Sequence, residues 1–182
     1  MVKKDSSSPS PAGIIVREVG TIRNGVKKPF LEAGDDGITM RENVDAVRRR
    51  IRRTQDDISE IVINEEMTDI LHGIDEYSHI IVLYWAHKVP ESSRMLTQVR
   101  PMGRDEFPLM GIFSTCSPAR PNPILMTVVR LHGKNKNILS VSGLDAVDES
   151  PVIDIKPFVK NFYDKENIRI PEWMQRLCDE ME

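Results

Sequence analysis

The sequence predicts a mainly β protein, a small antiparallel β-barrel with short peripheral helices and a C-terminal extension. Three observations point there. The run His79-Ile80-Ile81-Val82-Leu83-Tyr84-Trp85-Ala86 is nearly all apolar and rich in β-branched residues, the pattern of a strand buried on both faces. Ile124 to Leu131 and Ile138 to Ser142 are two further apolar stretches. They are joined by His132-Gly133-Lys134-Asn135-Lys136-Asn137, a turn-rich linker suited to a hairpin. Helical patterns do not alternate with these strands as parallel βαβ units require, and many short antiparallel strands lose their open edges by closing on themselves.

Taken in chain order, residues 1–12 read as a disordered tail, because the Ser/Pro stretch Asp5–Pro11 buries too little apolar surface to offset its ordering entropy. A barrel domain is expected over residues 13–160. Ile14-Ile15-Val16 and Val19-Gly20-Thr21-Ile22 open it as strands. Val44, Val47 and Ile51 stand at helical spacing between Arg41 and Arg53. Ile61-Val62-Ile63 is a short strand, and Asn64 precedes a short helix ending near Gly73. Val152-Ile153-Asp154-Ile155-Lys156-Pro157 alternates as a half-buried strand does. Residues 161–182 form an extension, in which Pro171 starts a last helix that packs back through Trp173.

Composition narrows the function. A chain of 182 residues can bury a core without metal or disulfide staples. No apolar run is long enough to span a bilayer, and Met1-Val2-Lys3-Lys4-Asp5 leads into Ser and Pro rather than the apolar core of a secretory signal. A cytoplasmic protein is expected. Cys116 and Cys178 are far apart and there is no CxxC, so no metal is expected and reduced thiols are the simpler reading. With 25 Lys and Arg against 28 Asp and Glu the net charge is −3, so any RNA contact must come from a local patch.

That patch is Arg48-Arg49-Arg50-Ile51-Arg52-Arg53. It reads either as a solvated helix face paired with Asp45, Asp56 and Asp57, or as an RNA-phosphate surface centred on Arg49 and Arg52, with Lys27, Lys28, Arg94, Arg100 and Arg104 as additions. No GxGxxG, GxSxG or HExxH is present. The most informative segment is Gly111-Ile112-Phe113-Ser114-Thr115-Cys116-Ser117-Pro118-Ala119-Arg120-Pro121-Asn122-Pro123-Ile124. Three prolines in six residues make it rigid, which suits either a connector or a binding edge.

This segment resembles the signature of the TrmO (YaeB, or TsaA-like) family, Gly-Val-Phe-Ala-Thr-Arg-Ser-Pro-x-Arg-Pro-Asn-Pro-Ile-Gly. A second block, Gly143-Leu144-Asp145-Ala146-Val147-Asp148-Glu149-Ser150-Pro151-Val152-Ile153-Asp154-Ile155-Lys156-Pro157-Phe158, is similar to the family's Gly-x-Asp-x-x-Asp-Gly-Thr-Pro-Val-x-Asp-Ile-Lys-Pro-Tyr. A third is Leu71-His72-Gly73-Ile74-Asp75-Glu76-Tyr77-Ser78-His79, running into the strand that ends at His87 and Lys88. The resemblance covers roughly residues 17–160. It implies a β-barrel methyltransferase that uses S-adenosylmethionine, acts as a homodimer, and methylates N6 of the threonylcarbamoyladenosine at position 37 of certain tRNAs.

The resemblance implies cofactor contacts at His87 and Lys88, at Cys116, at Met126, and at the turn Gly143-Leu144-Asp145. Asp145 is the candidate catalytic acceptor. Arg120 and Asn122 would hold the loop or reach the substrate, and Lys156 is a candidate for phosphate or carboxylate. Asp154 reads as a structural acceptor or a partner of Lys156, Tyr84 and Trp85 as core or dimer face. The sequence departs from the pattern at Cys116, where the family has Arg, at Leu125 for Gly, at Glu149-Ser150 for Gly-Thr, and at Phe158 for Tyr. Residues 30–37 stand where the family has an early Pro-Arg-Gln element. A different methyl acceptor, or a non-catalytic relative that binds S-adenosylmethionine or RNA, is the alternative these departures favour.

Overall fold

The computed structural model describes residues 15–34, 37–163 and 165–181. The expected tail therefore lies outside the described residues, as does Ile14, while Ile15 and Val16 belong to no strand. Six strands close an antiparallel barrel in the order β1, β10, β5, β8, β9, β4. They are β1 (Gly20–Arg23), β4 (Ile58–Ile63), β5 (His79–Trp85), β8 (Ile124–Asn135), β9 (Ile138–Ser142) and β10 (Pro151–Pro157). Closure leaves no unpaired edge among them. Gly20 stands at the seam, paired with Ile63 on one side and Val152 on the other. A Cβ there would lie 2.4 Å from the Val62 carbonyl oxygen, so only glycine fits.

The core follows the period-two rule. Ile22, Ile61, Ile63, Ile80, Val82, Tyr84, Val129, Leu139, Val141 and Val152 all point inward and are at most 2% exposed. β10 obeys the rule only through a bulge between Val152 and Asp154. The extra residue, Ile153, shifts the phase, so Ile155 packs on the core while Asp154 and Lys156 stay outside. The hairpin β8–β9 is tighter than its sequence suggests. The ladder continues to Asn135 opposite Ile138, with a register shift between Leu131 and Gly133 and Lys136 turning at φ 53°. Backbone pairing needs no apolar side chains, so polar residues that read as a loop extend the ladder.

A second, smaller core was not legible in the sequence. It is built on two short hairpins, β2 (Leu31–Gly34) with β3 (Gly37–Met40), and β6 (Gln98–Val99) with β7 (Met110–Gly111). Ile38, Val89, Val99, Ile112 and Ala119 form its centre. Gly103, at φ +68°, lets the turn Pro101–Gly103 lie directly on β3; a Cβ would be 2.0 Å from the Ile38 carbonyl oxygen.

Helix α1 (Val44–Asp56) begins where the Asn43 side chain accepts from the Ala46 N–H at 2.9 Å, and buries Val47. The expected helix after Asn64 is a 3-10 turn, Glu65–Leu71, and Asn64 makes no side-chain cap. Helix α2 is Lys160–Tyr163 and α3 is Glu172–Met181. On α3, Trp173 meets the buried Phe107 edge-on at 6.4 Å. Glu180 pairs with Arg104, whose guanidinium lies 4.6 Å from the Phe107 ring centroid, and the Glu180 carbonyl accepts from Arg48 of α1. The last helix thus ties α1 to the smaller core.

Candidate functional site

A cavity of about 550 Å³ opens where the barrel end meets the small core. Its inner wall is Tyr84 of β5, Leu125 of β8, and the turn Asp145-Ala146-Val147 after β9. The segment leaving β5 contributes Ala86, His87 and Lys88, and the proline loop contributes Cys116 and Pro118. The outer wall is Lys27–Ala33 with Arg41 and Arg50. Four of the expected contact residues, His87, Lys88, Cys116 and Asp145, therefore converge from three separate stretches of chain. The proline loop and the acidic turn line the same cavity, and neither Met126 nor Glu149 does.

Several expected residues stand elsewhere. Met126 lies on the outer face of β8 and is 62% exposed; the strand alternation that turns Leu125 toward the cavity turns Met126 away. Leu144 is buried in the barrel core. Gly143 makes the left-handed turn at φ +85° and its N–H donates to the Thr54 carbonyl at 2.8 Å, anchoring the acidic turn to the end of α1. Arg120 curls back on its own loop, donating to the carbonyls of Ser117 at 2.8 Å and Thr115 at 2.6 Å. That braces the loop and does not present the guanidinium to the cavity. Asn122 lines a separate groove with Trp85 and Ile124. Lys156 pairs with Asp154 at 2.6 Å near the opposite end of β10 from the cavity. Arg49 and Arg52 are exposed on α1, the helix whose Arg50 lines the rim.

Other residues join the site unforeseen. Asp145 Oδ1 accepts from the Tyr84 hydroxyl at 2.7 Å and the Thr127 hydroxyl at 2.6 Å. Burial, then the charge of Asp145, pushes the Tyr84 phenol above the ordinary tyrosine range, so it remains a donor. Tyr84 shares a face of β5 with Ile80 and Val82, and that in-phase position at the strand end was the available signal. The rim carries Lys27, Lys28, Lys88, Arg41 and Arg50 against Glu32, a predominantly positive mouth. Arg50 lies 5.9 Å from the Phe30 ring centroid and Arg41 pairs with Glu32.

The His87 ring is held by Ser150, with Nδ1 3.2 Å from Oγ, while Nε2 is buried without a hydrogen-bond partner among the described residues. Burial first, then the neighbouring Lys88 charge, pushes His87 below the usual imidazole range, so it is neutral at pH 7. Asp148 anchors the outer wall. The Lys27 ammonium, then the Asn24 N–H at 2.8 Å, holds its carboxyl below the usual carboxylate range. Glu149 adopts φ 65°, the left-handed region that favours glycine, and its N–H donates to the Ile22 carbonyl. Both cysteines are free and exposed. Among the described residues no helix is long and apolar enough to cross a membrane, and no three His, Cys, Asp or Glu side chains gather as a metal site.

Comparison with known proteins converges on one family. Residues 42–164 match the family model for the tRNA-methyltransferase O N-terminal domain. An S-adenosyl-L-methionine-binding protein of Archaeoglobus fulgidus is 48% identical over 106 residues, covering 58% of this chain and 73% of that one. The tRNA (adenine(37)-N6)-methyltransferase of Escherichia coli is 30% identical over 146 residues, covering 78% of this chain and 56% of that enzyme. The crystal structure of TrmO from Pseudomonas aeruginosa superposes with a TM-score of 0.62 at 24% identity, over 88% of this chain and 62% of that one. The chain thus spans under two thirds of the length of both latter proteins.

Proposed function

Because the chain belongs to the tRNA-methyltransferase O family, we propose that it is an S-adenosylmethionine-dependent methyltransferase acting on N6 of threonylcarbamoyladenosine at tRNA position 37. One observation carries the reading. A single cavity of about 550 Å³ gathers His87, Lys88, Cys116 and Asp145 and is within the size range of sites for small organic ligands. The donor set fits a nucleoside cofactor. Asp145 keeps Oδ2 for a ribose hydroxyl or a proton, His87 keeps a buried nitrogen without a partner, and Ala86, Leu125 and Ala146 offer apolar surface. Bound S-adenosylmethionine would supply a methyl group already activated on a sulfonium, so the protein's task is largely orientation and exclusion of water.

The charge around the cavity supports RNA as the methyl acceptor. Lys28, Lys88 and Arg50 edge the mouth, and Arg49 and Arg52 extend the positive surface along α1. Arg120 acts in this reading as the brace of the proline loop, and Met126 with Val128 gives an exposed apolar strip on β8 for a second copy of a homodimer. tRNA is the expected partner and the cytoplasm the expected compartment. Titration calorimetry with S-adenosylmethionine should give binding, and tRNA from cells lacking the modifying enzyme should accept a labelled methyl group. Reversing charge at Arg49 and Arg52 to Glu should weaken tRNA binding at low salt by about tenfold. Unchanged binding would remove that helix from the interface.

A second reading rests on Cys116. The family signature has an arginine there, and a thiol cannot replace its bidentate, charge-assisted contacts. That favours a different methyl acceptor or a relative that binds S-adenosylmethionine or RNA without catalysis. Cofactor binding without methylation of the tRNA would select this reading.

A further inference from the structure

The geometry points to Tyr84 and Thr127 as positioning residues that lock Asp145 with a single oxygen turned to the ligand. The inference rests on the cavity being the cofactor site and adds two residues that act through the carboxylate. Tyr84 comes from β5 and Thr127 from β8, adjacent strands whose register pairs Tyr84 with Leu125 and Val82 with Thr127. The two hydroxyls therefore come from the inner barrel face, one step apart, and both reach Asp145 Oδ1, at 2.7 and 2.6 Å. A carboxylate oxygen has two lone-pair directions, so two donors saturate Oδ1. Among the described residues no donor reaches Oδ2.

The arrangement has chemical consequences. Asp145 is exposed between the buried Leu144 and Ala146, and an unrestrained side chain there samples several rotamers and must lose that freedom on binding. Two hydroxyls from a closed sheet remove that freedom beforehand. Because Tyr84 is buried in the barrel core, its ring cannot swing to follow the carboxylate. The acceptor left over suits a ligand that donates from one direction, and a ribose diol does so with two adjacent hydroxyls on one oxygen. A ligand offering only acceptors would meet the unpaired charge of Oδ2 and be rejected.

The test is calorimetry on the full chain with S-adenosylmethionine and S-adenosylhomocysteine. Tyr84→Phe and Thr127→Val should each weaken both ligands by about tenfold, the scale of one hydrogen bond to a charged group. Thr127→Ser, which keeps the hydroxyl, should restore binding. In an Asp145→Ala background, Tyr84→Phe should have no further effect, because its action runs through the missing carboxylate. A Tyr84→Phe penalty that persists undiminished in that background, or wild-type affinity in both Tyr84→Phe and Thr127→Val, overturns the inference. Should Tyr84→Phe fail to fold, the Thr127→Val and Thr127→Ser pair decides alone. A wild-type chain that binds neither ligand overturns the cofactor reading and this inference together, whereas tight wild-type binding with indifferent variants overturns only the inference.

Discussion

On the barrel side of the cavity, Tyr84 and Leu125 stand on strands of a sheet without free edges, with Asp145 in the turn after β9, above a core of Ile22, Ile61, Ile80 and Leu139 that is fully buried. On the opposite side, Lys28, Phe30 and Leu31 stand on or beside a two-stranded ladder backed by a small cluster of five buried residues, Ile38, Val89, Val99, Ile112 and Ala119. The first wall is held by continuous backbone pairing. The second is held by contacts from outside itself: Gly103 seated under β3, Arg50 over Phe30, Lys27 on Asp148, and the last helix bridging Arg104 and Arg48. A site between unequal walls keeps its precise donors on the rigid side and its charged rim on the side with less support.

The largest effect that separates the walls is core truncation. Ile61→Ala should cost about 3 kcal/mol of global stability, while Ile38→Ala should cost about 2 kcal/mol and open the small core before the barrel. Urea unfolding with hydrogen exchange reads both, and equal loss of protection on β5 in the two variants would mean that the walls are one cooperative unit. Next, Arg104→Ala removes both the ion pair to Glu180 and the contact with Phe107, at a cost of about 1–2 kcal/mol. Protection should fall across residues 101–107 and α1 and stay on β5. If β5 loses protection too, the C-terminal helix braces the barrel itself.

A smaller gain is expected from Glu149→Gly, which relieves a left-handed backbone at φ 65° and should add up to about 1 kcal/mol. A loss in thermal midpoint would show that the Glu149 side chain makes a stabilising contribution of its own. The smallest effect is a pH slope. His87 is depressed in the folded state, so just below its ordinary value of 6.5 the unfolded chain binds more protons than the native one. Its stabilising contribution is complete above that pH and is lost as pH falls toward the folded-state value. Thermal midpoints between pH 7 and 5 should show this decline, and His87→Gln should flatten it.

The barrel is legible in the sequence because its strands obey local rules. β5 is apolar after His79, and β4, β8 and β9 place apolar residues at inward positions. The second core was not legible because Leu31–Gly34, Gly37–Met40, Gln98–Val99 and Met110–Gly111 are short strands with few apolar residues, and their burial depends on one another and not on any internal period. For the cavity, the proline loop and the acidic turn were legible as blocks and do line one space with His87 and Lys88. Met126, expected there from the resemblance, stands on the outer face of β8 and does not line the cavity. Tyr84 and Thr127 were missed because a hydroxyl at a strand end looks the same whether it meets water or a carboxylate.

The amino-acid order by itself determined which stretches become strands and that β8 turns back onto β9, since period-two burial and hairpin turns act between neighbours a few residues apart. It also determined the family, through blocks of residues whose identities survive without knowledge of where they meet. Only the tertiary structure decided that Tyr84 and Thr127 meet one oxygen of Asp145, and that the last helix bridges Arg104 and Arg48. Those facts depend on groups more than a few residues apart meeting within hydrogen-bond range, and such distances exist only once the barrel has closed.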